Sequence, residues 1–525
     1  MTLLLLLSAC APSPDSGLIP DTADSDGIVD SDPGDTAPED TADPCPGDDA
    51  DCIDAASGDC DDANASIYPG APETCGDAID QDCDGYAPRC ALAADLSSLD
   101  ADSTLIGAPG EAAGRWVGAA DLDGDGAAEL LVGAPGAGSD HGFAPGVLYA
   151  ARGPVAAGET PLSSSPITFT GSADLPGVGQ VAAVGSGQVA MLAGKAALLY
   201  DLPIGAGAWT AADAQGIVTL DAWPDALRLS DIDLDGVDDL LVGAPEASTA
   251  ELGSWAGAVY QFAGPLAGEL SAANATSVLW GEYGYTGGSS YVGHFMGTDV
   301  ATGDLDGDGA PDVAIGASGA SLTTSSGTVY LYSGGLPAGT VAVADATHAI
   351  TGESITDPLG DDLALPGDMN GDGYADLVAT SRLSWYFGHG TGKVYLFTGP
   401  IDVATAAEAA AVFSGEGADD AAGEVADRAP DLNGDGALDL AVGAYGNGGA
   451  ANIAGRAYVV YGPLASGAWN LADADVVISG ADKGAQLGRA IDGAGDLDHD
   501  GVDDLLLGGP HTASTPAAWI FYGGR

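Results

Sequence analysis

An acidic loop signature, D-x-[DN]-x-D-G-x-x-[DE], recurs along most of this chain and constrains its fold more than any other feature. It begins at Asp121, Asp231, Asp304, Asp368, Asp431 and Asp496, with successive spacings of 110, 73, 64, 63 and 65 residues. A period of this size marks a repeat architecture in which each unit is one supersecondary element. The first spacing is nearly double the others, so a unit lacking the signature is expected within it. A second mark supplies that unit. A short strand with Tyr or Trp occurs seven times: at 146–154, 196–203, 257–265, 327–335, 392–400, 455–463 and 516–524. The second copy falls in the gap. A third mark, a short apolar strand usually ending in Gly, also occurs seven times, beginning with Thr104-Leu105-Ile106-Gly107.

Each unit therefore reads as a strand before the acidic loop, a strand after it, the aromatic strand and the short apolar strand. Four antiparallel strands per unit and seven units predict an all-β chain folded as a seven-bladed β-propeller over residues 100–525. With 82 Gly and 30 Pro, the chain suits many short strands and turns better than long helices. The Ala-rich stretch 401–411 accordingly reads as a loop. A tandem EF-hand array is rejected, because its loop needs a bidentate Glu at position twelve. Those positions here are Val132, Val242, Ile315, Ala379, Val442 and Leu507, all apolar and all reading as strand interior. The last unit has no short apolar strand after its aromatic strand, while one such strand, residues 104–107, precedes the first unit. Docking the orphan on the last blade closes the ring.

The order of elements resembles the FG-GAP repeat of integrin α-chain head domains. The GAP element is present as Gly133-Ala134-Pro135 and Gly243-Ala244-Pro245, whereas the FG element is loose. Phe295-Met296-Gly297 is close to it, and Trp116-Val117-Gly118 reads as a version with Trp. The resemblance implies calcium in the acidic loops, held by side chains at positions one, three, five and nine and by the carbonyl of position seven. It assigns Asp121, Asp123, Asp125 and Glu129 to the first site, and Asp231, Asp233, Asp235 and Asp239 to the second. Asp304, Asp306, Asp308 and Asp312 follow as the third, and Asp368, Asn370, Asp372 and Asp376 as the fourth. The fifth is Asp431, Asn433, Asp435 and Asp439, and the sixth is Asp496, Asp498, Asp500 and Asp504. The alternative is a set of solvated Asp turns without metal. The second unit, 181–194, has no carboxylate and is expected to bind nothing.

The region before the repeats divides into three. Met1 to Cys10 reads MTLLLLLSAC, an apolar run too short to span a bilayer. It resembles a bacterial lipoprotein signal ending in a lipid-bearing Cys10, although no Lys or Arg precedes the Leu run. The alternative is a secretory signal with a coincidental Cys; both readings export the protein. Residues 11–44 are polar and acidic and are expected to form a disordered tether. Residues 45–90 hold Cys45, Cys52, Cys60, Cys75, Cys83 and Cys90, which in an exported chain suggest three disulfides of unknown pairing. Between them, DCDDANASIYPGAPETCGDAIDQDCDG (59–85) resembles the MopE-type metal-binding repeat. Its candidate oxygen ligands are Asp59, Asp61, Asp62, Asp80, Asp82 and Asp84, with an acidic disulfide knot lacking metal as the alternative reading.

The charge excludes one class of partner. Seventy-eight acids against 12 bases give a net charge of −66, which leaves little to neutralise a nucleic-acid backbone. Six calcium ions add twelve positive charges, so −66 becomes −54 and most of the acidity belongs to the tether and surface. The six histidines are scattered and no HExxH or GxSxG motif occurs, so no catalytic residue is assigned. The sequence thus predicts a lipid-anchored surface propeller, in a bacterial outer membrane or cell surface, that binds an extracellular protein or glycan. A polysaccharide-active enzyme and a structural coat protein are the other readings. Two aromatic clusters, 280–295 and 381–391, fall on the face opposite the acidic loops. Tyr285, Trp385 and Tyr386 are the expected ligand contacts.

Overall fold

A computed structural model of the chain describes residues 64, 67, 92–136, 144–283, 293–319, 326–354, 358–382, 390–417, 419–425, 430–447, 453–510 and 516–524. Within them the chain forms seven antiparallel sheets, one for each repeat, and no α-helix. Blade one consists of Trp116–Ala120, Glu129–Ala134, Val147–Arg152 and Ile167–Thr170. Blades two to six repeat this order over 182–219, 226–280, 296–351, 363–414 and 422–479. Blade seven has Ala490–Gly495, Asp504–Gly509 and Ala517–Phe521 from its own repeat.

Burial explains the strand compositions. The second strand of a blade is covered on both faces by neighbouring blades, so it reads as a continuous apolar run. Glu129–Ala134 and Asp239–Ala244 are buried at every position. Seven hydrophobic clusters result, each drawn mainly from two adjacent blades. One joins Leu130 and Val132 of blade one to Leu506 and Ile520 of blade seven, which makes the ring complete.

Closure uses two N-terminal strands. Strand β2 (Ser103–Ile106) pairs antiparallel with Ala517–Phe521 and is the fourth strand of blade seven, as the orphan strand predicts. Strand β1 (Asp95–Ser97), which lies before residue 100, pairs parallel with Val476–Ser479 in blade six. The propeller therefore fastens over two blades.

That parallel strand belongs to a general feature that departs from the expected four-stranded blades. Six of the seven sheets have five strands. Gly207–Thr210, in the connection between the third and fourth strands of blade two, pairs parallel with Ile167–Thr170 of blade one. Gly268–Ser271 and Gly467–Asn470 do the same for blades two and five. Each such crossover covers a blade edge that would otherwise present open hydrogen-bonding groups. In blade four only the bridge between Thr351 and Thr405 remains, and the Ala-rich stretch beyond it makes a single 3-10 turn, Ala406–Glu408.

The structure also corrects one motif assignment. A Cβ on Gly508 would lie 2.2 Å from the carbonyl oxygen of Gly114, and one on Gly133 would lie 2.0 Å from that of Gly179. The two glycines of the repeat are thus partners across neighbouring blades, where backbones touch. In blade one the FG-type glycine is Gly114, not Gly118, whose added Cβ would first meet the Trp116 ring and not a neighbouring backbone. Gly114 also takes a φ of 83°, which favours glycine.

Candidate metal centres

Each acidic loop joins the first and second strands of its blade, so all six lie on one face of the ring. The position-one carboxylate organises the turn. Asp121 accepts the amides of Gly124 at 2.7 Å and Gly126 at 2.9 Å, and Asp304 accepts those of Gly307 and Gly309 at 2.8 and 2.9 Å. The position-six glycine takes a left-handed conformation throughout, for example 91° at Gly126 and 94° at Gly373. Position three accepts from position five, and position five from position seven, as Asp308 to Asp306 at 3.2 Å and Ala310 to Asp308 at 2.8 Å. These bonds bring alternate side chains to one point.

Oxygens of Asp231, Asp233 and Asp235 converge within 4.8 Å of one another, as do those of Asp304, Asp306 and Asp308, and those of Asp496, Asp498 and Asp500. In the first loop the group is Asp121, Asp123 and Glu129. In the fourth and fifth loops Asn370 and Asn433 take the middle position, 3.0 Å from Asp372 and Asp435. Such all-oxygen sets suit a hard cation. The second loop passes a further test of fit, because Asp231 Oδ1 is buried and accepts no hydrogen bond. A bound cation would satisfy it. Asp231, Asp233 and Asp235 would be the side chains that hold the ion there.

Position nine has a further role beside the one that the resemblance implies. Asp239, Asp312 and Asp504 are buried and do not join the three-carboxylate groups of their loops. Asp312 accepts the Leu305 amide at 2.8 Å with one oxygen and the Gly334 amide at 2.9 Å with the other. Asp376, Asp439 and Asp504 make the same pair of bonds. In these four loops the residue clamps the loop to the end of the third strand. Burial pushes its carboxyl up, to about 6 in Asp376, about 7 in Asp439 and about 8 in Asp504. Neighbouring loop carboxylates add to the shift, while backbone amides oppose it. Glu129, Asp239 and Asp312 move in the same direction for the same first cause.

Two residues at these loops escaped the sequence reading. Arg152, at the end of the third strand of blade one, places Nη2 2.5 Å from Asp123 and 2.8 Å from Asp125. Asp238 reaches from blade three to the carboxylate-free turn of blade two, where it accepts the Ser186 amide at 2.5 Å and its hydroxyl at 2.9 Å. Both follow a strand-register logic that a motif search does not read.

The first strands of the blades surround a central cavity of about 680 Å³, lined by residues of all seven blades. At its rim Glu424 pairs with Arg382 and, at 3.3 Å, with Arg489. The Arg489 guanidinium lies 4.4 Å from the Tyr445 ring centre, and burial pushes the Asp361 carboxyl up to about 7. Of the aromatic cluster 280–295, the described rings are buried or half-buried and pack against other rings. Trp280 meets Tyr260 edge-on, His294 is buried against Tyr283 and Tyr330, and Phe295 stacks on Trp255. Burial lowers His294 to about 4, so it is a neutral core residue. Tyr285, Trp385 and Tyr386 lie outside the described residues. So do Cys10, Cys45, Cys52, Cys60, Cys75, Cys83 and Cys90, and Asp59, Asp61, Asp62, Asp80, Asp82 and Asp84.

Comparison with known families agrees with this geometry. The FG-GAP repeat model matches residues 113–149, 223–260, 296–332 and 363–397, which coincide with the first three strands of blades one, three, four and five. A second model, named for copper binding by MopE and described as "Putative metal-binding motif", matches residues 59–87. The chain carries FG-GAP repeats on a seven-bladed propeller, preceded by a MopE-type motif.

Proposed function

We propose that this FG-GAP propeller is an exported, lipid-anchored surface protein that uses calcium as a structural ion and recognises an extracellular protein or glycan without catalysis. The observation that carries the metal reading is the convergence of three carboxylates in one loop after another, with a buried, unpartnered oxygen on Asp231. Three negative charges within 4.8 Å repel strongly, and a divalent cation offsets that repulsion. Calcium fits because the donors are all oxygen and the loops are exposed, turn-rich hairpins rather than rigid octahedral cages.

The ions belong to the face that carries the hairpin loops. The opposite face, built from inter-blade connections and from loops between second and third strands, is left for a partner. A ligand surface there fits the FG-GAP fold, and the segments around Tyr285, Trp385 and Tyr386 supply aromatic side chains with polar tips. The Leu run and Cys10 support export and acylation. A glycan and protein binding array, run with and without calcium, tests the reading. Saturable binding to one class that weakens on chelation is expected. Release of reducing sugar from a bound glycan would replace recognition with catalysis.

A further inference from the structure

The first acidic loop is built differently from the other five. Its position-nine residue is Glu129, and the residue directly across the strand pair is Arg152. Continuing each strand register by one residue, the residues facing position nine in the other loops are Ala263, Ser333, Thr398, Tyr461 and Tyr522. None of these carries charge near neutral pH. In those loops the second oxygen of the position-nine Asp accepts an amide from the glycine past the third strand, from Gly264 at 2.9 Å to Gly523 at 2.9 Å. In the first loop the matching Gly153 amide turns to the Ala128 carbonyl at 3.3 Å. Glu129 Oε1 instead faces Arg152 Nε at 4.0 Å. The longer Glu side chain joins Asp121 and Asp123 in the carboxylate group, while Asp125 pairs with the guanidinium at 2.8 Å.

We infer that Arg152 is a tethered cation that competes with the metal for the first loop. The first loop therefore binds calcium on the order of tenfold more weakly than the others, a difference of about 1.4 kcal/mol. The inference rests on the calcium reading above. Its physical basis is that guanidinium and metal seek the same oxygens, of Asp123 and Asp125, and repel each other when both are present. Arg152 is 56% exposed, so it can swing into solvent and admit the ion; the effect is competition rather than exclusion. The same contact offsets carboxylate repulsion when calcium is scarce. It does so in the blade that packs against blade seven, across the junction where the ring closes.

Calorimetric calcium titration of the full chain tests this. Arg152→Gln is expected to raise the number of tightly bound ions by one. In the parent protein Asp125→Asn should leave the tight count unchanged, whereas Asp308→Asn should lower it by one, position five being Asp in all six loops. An Arg152→Gln protein with an unchanged tight count would overturn the inference, and so would loss of a tight ion in Asp125→Asn. The second arm holds even if Arg152→Gln misfolds, which its melting curve would reveal. Absence of stoichiometric calcium binding in every variant would overturn the calcium reading and this inference together. Equal affinity at all loops would overturn this inference alone.

Discussion

Replacing Leu105 by Ala should loosen blade seven although Leu105 lies far along the chain from the strand it supports, Ala517–Phe521. Leu105 is fully buried in β2, paired with Ala518 and packed among Leu130, Val132, Leu506 and Ile520. The change removes three buried carbons, which transfer alone values at roughly 2.4 kcal/mol. The cavity left behind brings the expected loss to about 2–5 kcal/mol. The upper half is favoured, because the site is walled by two blades and polar contacts fix the strand on either side. Asp102 accepts the Tyr522 amide at 3.0 Å, and Ser103 donates to the Val155 carbonyl at 2.9 Å. Collapse around the gap is therefore restricted. Leu99→Ala is the control: Leu99 is 81% exposed and the change should be within about 0.5 kcal/mol of neutral. Denaturant unfolding gives the magnitude, and amide hydrogen exchange gives the location. Exchange should accelerate in Ala517–Phe521 more than in Thr328–Tyr332 on the far side of the ring. Equal stability of Leu105→Ala and Leu99→Ala, or unchanged protection in Ala517–Phe521, would refute closure by β2.

Three further outcomes follow from the same account. Metal-free protein should lose stability as pH rises from about 5 to 8. Asp376, Asp439 and Asp504 are raised to about 6, 7 and 8, so their protonated forms favour the fold, fully so below an unfolded value near 4 and no longer once these carboxyls ionise. Saturating calcium should abolish or reverse that slope, since binding needs ionised ligands; a chelated melting temperature that climbs across the window would contradict the assignment. Cys10→Ser should move the protein from the membrane to the soluble fraction, and its retention on membranes would count against acylation. Replacing Tyr285, Trp385 and Tyr386 together by Ala should abolish ligand binding with melting unchanged, whereas full binding by the variant would remove these residues from the ligand surface.

The repeat was readable because its marks are strong. A loop of alternating acids and an aromatic strand recur at nearly constant spacing, and one orphan strand indicates how the ring closes. The fifth strands were not readable. Gly158–Pro161 and Gly207–Thr210 are mostly exposed, so they carry no apolar alternation, and their partners lie in the preceding blade. Gly114 was missed in favour of Gly118 because a nearby Trp resembled the motif, whereas the backbone contact with Gly508 depends on three-dimensional neighbours. Position nine stands out in the motif as a candidate ligand, but the pattern does not reveal that Asp312 also accepts two backbone amides and so clamps its loop. The cluster around Trp280, His294 and Phe295 shows a further limit. Aromatic density along a chain does not reveal which rings face the core. Arg152 was legible in principle, since it is the charged residue of its third strand lying opposite Glu129, but only once the register was known.

A crystal structure of the full chain grown with calcium, recorded where calcium scatters anomalously, tests the central claim most directly. The account predicts anomalous peaks in the acidic loops of blades three to seven, about 2.3–2.6 Å from oxygens of positions one, three and five. It predicts a weaker peak in blade one beside a displaced Arg152, and none at the Ser186 turn of blade two. Acidic loops without peaks at millimolar calcium, with Arg152 still seated on Asp123 and Asp125, would contradict it.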